Sequence, residues 1–322
     1  MGNPSDGYGG RTVSLIIRDF AARVVLYEWD ELEVVLSQED QSRFQSVEDL
    51  VRDVKHHGYY GGIRLVKATI KKFADYCRRQ GHTLHDQNFS IRYQSDIPRQ
   101  VGMGGSSAII VATLRCLMEF YDIEIPLPVQ PSLALSIETE ELGIPAGLQD
   151  RVIQVYEGVV AMDFSDSASK QIEGYTCGTY EPLDPKQLPP IYLAFKADVG
   201  EPTEVVHNDL RARYEQGDTE VVAAMDTFAD LARQARDAIS SGRGDELAPM
   251  INANYDLRDA ICQISPWQVE MIRTARDVGA TAKFAGSGGA IVGTRDNGAN
   301  YSRLEEHLTS IGCRVLRPTV VG

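Results

Sequence analysis

The chain has 322 residues, with 32 Lys and Arg against 46 Asp and Glu, a formal charge of −14. Hydrophobic residues make up 43% and charged residues 24%, enough for a sizeable core and too apolar for a chain disordered as its main state. The acidic balance argues against a nucleic-acid partner, which needs a basic surface, yet allows a phosphate ligand held by backbone N–H groups or a metal. At roughly 150 residues per domain, the length fits about two domains. Cys77, Cys116, Cys177, Cys262 and Cys313 lie far apart with no C-x-x-C, which predicts free thiols in a reducing compartment and no zinc site. No stretch approaches the roughly 18 apolar residues of a membrane span, and no signal-peptide layout opens the chain. A soluble, cytoplasmic protein without a membrane partner is expected.

The opening Gly2-Asn3-Pro4-Ser5-Asp6-Gly7-Tyr8-Gly9-Gly10 is a cluster of turn formers with no strand before it. Residues 12–17 are β-rich, and 23–29 and 31–36 read as strands with a tight turn at Trp29-Asp30. Residues 40–57 are polar and irregular, and His56-His57 reads as a solvated loop. Ile63, Val66, Ile70, Phe73 and Cys77 recur every three or four residues, so a helix over 63–79 stops before Gly81. Phe89, Ile91 and Tyr93 alternate with polar residues, as in a strand with one wet face. A helix is predicted over 132–142, broken at Gly143-Ile144-Pro145-Ala146-Gly147, and a strand over 159–164. Residues 165–190 turn rich in Ser, Gly and Pro, which predicts a domain boundary or a long connection. A buried strand at 191–195 comes next, then helices over 218–241, 245–263 and 266–278. Gly286-Ser287-Gly288-Gly289 lies between strand-like residues 281–284 and 290–292, and a helix (300–310) and a strand (313–316) end the chain. The class is α+β in two lobes, residues 1–170 and 171–322.

The segment Ile97-Pro98-Arg99-Gln100-Val101-Gly102-Met103-Gly104-Gly105-Ser106-Ser107-Ala108 is the most informative. Its three glycines allow close backbone approach and positive φ. Ser106 or Ser107 can cap a helix that carries Ile110, Leu114 and Leu117 on one face. The N–H groups and positive dipole end of such a helix suit a di- or triphosphate. No Lys comes after it as in a P-loop, and G-x-G-x-x-G is not met. By itself the loop reads equally as a tight strand–helix turn.

Pro98, the glycines, Ser106, Ser107 and Ala108 together resemble the second signature of the GHMP kinases, Pro-x-x-x-Gly-Leu-Gly-Ser-Ser-Ala. Met103 replaces the usual Leu, and there is one extra glycine. The resemblance implies that Gly102, Met103, Gly104, Gly105, Ser106, Ser107 and Ala108 wrap the triphosphate of ATP, with Ser107 near Mg²⁺. Glu138-x₄-Gly143-x₃-Gly147-x₂-Asp150 has the spacing of galactokinase-like members, which implies Glu138 as a second Mg²⁺ ligand and Asp150 facing the acceptor hydroxyl. Both roles make chemical sense: divalent ions on phosphates take hard oxygen ligands, and an Asp can take or orient a hydroxyl proton. Glu140 and Glu141 read as a solvated helix face, and Asp150 reads alternatively as the cap of a helix starting at Arg151. Ala282-Lys283-Phe284-Ala285-Gly286-Ser287-Gly288-Gly289-Ala290 resembles the C-terminal signature, Lys-x-Thr-Gly-Ala-Gly-Gly-Gly, a loop that supports the phosphate loop. The fold so implied has an N-terminal lobe like ribosomal protein S5 domain 2 and a ferredoxin-like C-terminal lobe.

The Asn-Pro-Ser-Asp-Gly-Tyr form of the first family motif resembles the glucuronokinase branch, as do Gly58-Tyr59-Tyr60-Gly61-Gly62-Ile63-Arg64, Gly147-Leu148-Gln149-Asp150-Arg151-Val152 and Val206-His207 leading to Arg211. That implies transfer from ATP to the anomeric hydroxyl of D-glucuronate, giving glucuronate 1-phosphate. ATP and a sugar acid are both anions, so an Arg fork should hold the carboxylate. Arg11, Arg151, Arg211 and Arg213 are candidates with Arg211 first, while Asp6 and Tyr8 would bind sugar hydroxyls. The alternatives are a kinase for another monosaccharide and a non-catalytic sensor of sugar and nucleotide. The strand and the Arg or Lys that precede this motif in the family are absent before Gly2, so the first family strand is expected to be missing.

Overall fold

The computed structural model describes residues 1–35, 61–196, 204–295 and 299–322. The irregular stretch expected at 40–57 with His56-His57, the segment 58–60, and the side chain of His207 lie outside the described residues.

Strand β1 spans Arg11–Leu15, β2 Ala22–Trp29, β3 Glu33–Val34 and β4 Asn88–Ser95. The turn at Trp29-Asp30 does not make β2 and β3 neighbours. β4 lies between them, antiparallel to β2 and parallel to β3. Phe89, Ile91 and Tyr93 carry β4 into the core, which gives it the central place, and β3 is only two residues long.

Helix α1 (Gly62–Gln80) buries Leu65, Val66, Phe73, Tyr76 and Cys77 on one face, and Gly81 ends it at φ +78°, a conformation that costs glycine little. Helices α2 (Gly105–Tyr121) and α3 (Val129–Ser136) share this core, with Ile110, Leu114, Leu117 and Leu133 at most 1% exposed. Each such side chain contributes about 1.5–3 kcal/mol by leaving water. The chain runs from α3 into a wider π-type turn, Ile137–Glu141, and α4 spans Gln149–Tyr156.

β5 (Val159–Asp163) pairs antiparallel with both β1 and β8 (Thr179–Leu183), so this sheet carries strands from both sides of residue 170. Residues 165–190 are therefore not a bare connection. They hold β8 and a small hairpin, β6 (Lys170–Ile172) with β7 (Tyr175–Cys177). The Ser, Gly and Pro residues that obscured these strands flank short segments, and Pro182 sits on the sheet's edge strand, where a missing N–H is tolerated.

The third sheet contains β9 (Ile191–Phe195), β10 (Lys283–Phe284), β11 (Ala290–Thr294) and β12 (Arg314–Leu316) in the order β10-β11-β9-β12, all antiparallel. Among the described residues five α-helices come after β9: α5 (Glu204–Glu215), α6 (Thr219–Ser240), α7 (Leu247–Ile261), α8 (Pro266–Asp277) and α9 (Ala299–Ser310). Asp218 caps α6 by accepting from the N–H groups of Glu220 and Val221. Helix α6 packs on β1 and α7 around Val13, Val159, Ile239 and Ile251, and α7 in turn touches β10 and β11 of the third sheet. No helix among the described residues is long and apolar enough to cross a membrane. The five cysteines are free thiols, and burial pushes Cys77 and Cys313 up to about 11, far from the reactive thiolate range.

Candidate active site

The glycine loop joins the end of β4 to α2. Gly102 (φ +70°) and Gly104 (φ +68°) are both in the left-handed region. A Cβ on Gly102 would fall 2.7 Å from the Gly288 carbonyl oxygen and 2.9 Å from the Ser287 nitrogen. The expected serine cap is not formed. Gly104 is the capping residue, no side chain caps the first turn, and Ser106 and Ser107 already lie inside α2. Positive φ at Gly104 lets the chain reverse one residue before α2 begins, so the serines enter the helix instead. Ser107 turns its hydroxyl back to donate to the Gly104 carbonyl at 2.9 Å. The first-turn N–H groups of a helix have no intrahelical acceptor, and here they open onto a cavity of about 360 Å³.

That cavity brings together nearly all the residues singled out in the sequence. Asp6, Tyr8, Gly102, Met103, Gly104, Gly105, Ser106, Ser107, Glu138, Asp150 and Arg211 all line it. Ala108 does not; it turns to a second cavity behind the loop. Glu138 enters the site from the π-type turn and is 2% exposed. Its Oε2 accepts from Arg151 Nε at 2.8 Å and from Arg151 Nη2. Arg151, also buried, donates its Nη1 to the Gly147 carbonyl at 2.9 Å and lies 3.8 Å from Asp150. Burial opposes the charge of Arg151, but Glu138 and Asp150 overcome that and hold it above its ordinary value. Glu140 and Glu141, by contrast, pair with Lys72 and Lys71 on α1, outside the cavity.

Asp150 is not a helix cap. It lies in the first turn of α4, which begins one residue earlier. Asp6 faces it across Gly147, accepting from the Gln149 N–H at 3.4 Å. Burial, and then the charge of Asp150, push Asp6 up to about 6. A Cβ on Gly147 would meet Asp6 Oδ2, so any larger residue there would push the Asp6 carboxylate aside. Tyr8 is half-buried against Tyr214, ring centres 4.6 Å apart, and burial raises its phenol. Arg211 reaches the Gly7 carbonyl at 3.5 Å and Glu215 at 3.4 Å, and it is 61% exposed at the cavity rim. The other two candidate arginines serve the scaffold: Arg11 pairs with Asp163 at 2.6 Å, and Arg213 ties Asp218 to the end of α7.

The second glycine loop packs directly against the first. Ala290 N–H donates to the Val101 carbonyl at 3.0 Å, and a Cβ on Gly286 would fall 2.5 Å from the Gly102 oxygen. Helix α7 anchors this arrangement through two residues four apart. Asn254 accepts from the Gly2 N–H and donates to the Asn3 carbonyl, while Arg258 donates to Asn3, Gly286 and Ser287. Sequence reasoning missed Asn254 and Arg258. Their spacing places them on one helix face, but nothing local names partners some 250 residues away.

Residues 64–158 match the model of the GHMP kinases N terminal domain. The Arabidopsis thaliana protein Glucuronokinase 1 is 40% identical over 313 residues, covering 95% of this chain and 85% of its own, and Probable glucuronokinase 2 from the same plant is 41% identical over 314 residues, covering 95% and 84%. Among solved structures, Lactococcus lactis galactokinase complexed with galactose superposes with a TM-score of 0.74 at 13% identity, covering 99% of this chain and 90% of that one. Methanococcus jannaschii mevalonate kinase does so with 0.71 at 18%, covering 100% and 95%. These neighbours establish the two-lobed α+β fold. With 40% identity across most of its length, the chain belongs to the GHMP kinase family, in which it is a sugar kinase that resembles the glucuronokinases.

Proposed function

We propose that this sugar kinase transfers the terminal phosphoryl group of ATP, with Mg²⁺, to the anomeric hydroxyl of a sugar acid, D-glucuronate first. The observation that carries the reading is the single cavity in which the start of α2, Ser107, Glu138 and Asp150 face Asp6, Tyr8 and Arg211. The residues fit a metal-bound nucleotide. The N–H groups at the start of α2 have no side-chain cap, and they suit phosphate oxygens. Among the described residues no cluster of three or more His, Cys, Asp or Glu forms a metal cage. Mg²⁺ commonly takes only one or two protein oxygens beside phosphates and water. Ser107 Oγ and the Glu138 oxygen not bonded to Arg151 would hold it, and when bound it would neutralise charge on the phosphates.

Asp150 takes or orients the proton of the acceptor hydroxyl as that oxygen bonds to the γ-phosphorus and the bond to ADP breaks. Phosphoryl transfer asks mainly for positioning and charge neutralisation, which is what Arg151 supplies by fixing Glu138 beside Asp150. Asp6 and Tyr8 hold sugar hydroxyls, and Arg211 at the rim receives the carboxylate. A neutral hexose is the second reading, favoured by the contact of Arg211 with Glu215, which already occupies part of that guanidinium. An ADP-release assay across uronic acids and hexoses, with and without Mg²⁺, tests both. D-glucuronate should turn over fastest and only with Mg²⁺; a hexose turning over faster overturns the sugar-acid reading.

A further inference from the structure

The cavity holds the carboxylates of Asp6, Glu138 and Asp150, and the chain as a whole carries −14. Two anionic substrates need positive potential from somewhere. Behind the glycine loops lie two cations that form no salt bridge among the described residues. Arg258 is nonetheless within electrostatic reach of the Asp6 carboxylate and bonds Cys262. The buried amine of Met1, which donates to the Val13 carbonyl at 2.5 Å, adds a further basic group near Lys283. Arg258 on α7 is 4% exposed; its Nη1 donates to Asn3 Oδ1 at 3.1 Å and to the Gly286 carbonyl at 2.9 Å, and its Nη2 to the Ser287 carbonyl at 2.5 Å. Lys283 on β10 is 5% exposed, and its Nζ donates to the Phe284 carbonyl at 2.5 Å. Among the described residues neither makes an ion pair. Buried charges are normally paired or lose their charge, so two basic groups side by side without a salt bridge require an explanation.

Their position supplies one. Arg258 holds the carbonyls of two successive peptides, and in a trans peptide the N–H points opposite to the C=O. The Ser287 and Gly288 nitrogens lie 2.9 and 3.1 Å from the point where Gly102 would carry a Cβ. Their N–H groups are thus directed away from Arg258 and toward the phosphate loop. Lys283 lines the second cavity, about 610 Å³, which shares Gly102, Met103, Gly104, Gln149 and Asp150 with the first. It sits on the reverse side of that loop.

We propose that Arg258 and Lys283 are positioning cations beneath the two glycine loops, and that their missing counter-charge is the phosphate held above those loops. The proposal rests on the reading of the first cavity as a phosphate-donor site. Arg258 acts through the peptides it holds, because donation to a carbonyl strengthens the neighbouring N–H as a donor. Lys283 acts through its field, which carries far in a low-dielectric interior. Burial, and then the charge of Arg258, bring Lys283 down to about 7, so an anion above the loop would draw a proton onto it. A purely structural clamp would explain the carbonyl partners of Arg258 but not the second cation beside it.

The test uses inorganic tripolyphosphate, which has phosphates without base or sugar, and calorimetry on the full chain without Mg²⁺. Lys283→Met should bind it about tenfold more weakly than the unsubstituted protein, while its ligand-free melting temperature stays the same or rises, because a buried amine that must give up its proton or remain without a salt bridge is gone. A merely structural lysine would lose stability and affinity together. Near pH 7.5 the unsubstituted protein should take up more protons on binding than Lys283→Met does, read from heats in buffers of different ionisation enthalpy. Lys283→Arg should restore the affinity, and Arg258→Gln should lose about as much as Lys283→Met. If Arg258→Gln does not fold, the two Lys283 variants decide. Equal affinity and equal proton uptake in Lys283→Met overturn the proposal, as does a protein that binds no tripolyphosphate. A protein that binds it as described but releases ADP with no sugar overturns the kinase reading alone.

Discussion

The two glycine loops have similar compositions and opposite tasks. Gly102 to Ser107 runs into a 17-residue helix, so its N–H groups have no acceptors of their own and face the cavity. Gly286 to Gly289 joins two short strands, and a guanidinium grips the carbonyls of its first two residues. The glycines of each loop are needed where the other comes close: Gly102 against Ser287 and Gly288, Gly286 against Gly102, Gly289 against Val101. Glycine content alone therefore says that backbone must approach something. The element into which the loop runs, helix or strand, decides whether its N–H groups are left without acceptors, as they are at the start of α2.

The contrast can be tested at several points. If chemistry belongs to the side of the first loop, Asp150→Asn should lower turnover about 10²–10⁴-fold, the usual worth of a general base, with ADP binding by calorimetry retained. Unchanged turnover removes Asp150 from the mechanism. Glu138→Gln leaves the buried Arg151 without its carboxylate and should cost about 3–5 kcal/mol of stability in a denaturant melt. A loss below about 1 kcal/mol would mean that water reaches the pair.

Two glycine substitutions bear on the loops themselves. Gly102→Ala and Gly289→Ala each place a Cβ 2.7 Å from backbone at positive φ, so each should cost about 1–3 kcal/mol. The first should also weaken nucleotide binding, whereas the second should keep most of it; equal losses of affinity would erase the distinction. The smallest effect is one of pH. Asp6 is raised from 3.8 to about 6, so the folded protein binds the extra proton between those values. The contribution of Asp6 to ligand-free stability is present below about 3.8 and is lost as pH rises through about 6. Its carboxylate is then ionised and able to accept from a sugar hydroxyl. KM for the sugar should fall as pH rises through about 6, and Asp6→Asn should flatten that profile.

Much of this architecture could be read from residue order. Helix α1 is dictated by the spacing of Val66, Phe73 and Cys77, and most residues of the ordered signatures between Pro98 and Asp150 meet around one cavity. The failures are equally specific. Serines after glycines look like caps, but the cap belongs to Gly104 because the reversal needs φ of +68°. The strands at 165–190 are too short for alternation to stand out among Ser, Gly and Pro. Arg151 and Arg211 look alike in sequence, yet one is buried on Glu138 and the other stands 61% exposed at the rim.

Residue order alone thus determined the elements with strong period, the loops where backbone must come close, and the types of side chain that phosphoryl transfer needs. These are local matters, governed by spacing and by the conformational freedom of single residues. Partnership was decided only in three dimensions: that β4 rather than β3 lies beside β2, that Glu138 is held by Arg151, and that Asn254 and Arg258 brace the chain's opening turn. It depends on which surfaces packing brings within about 3 Å, and a charge at a given position carries no sign of which distant group will meet it.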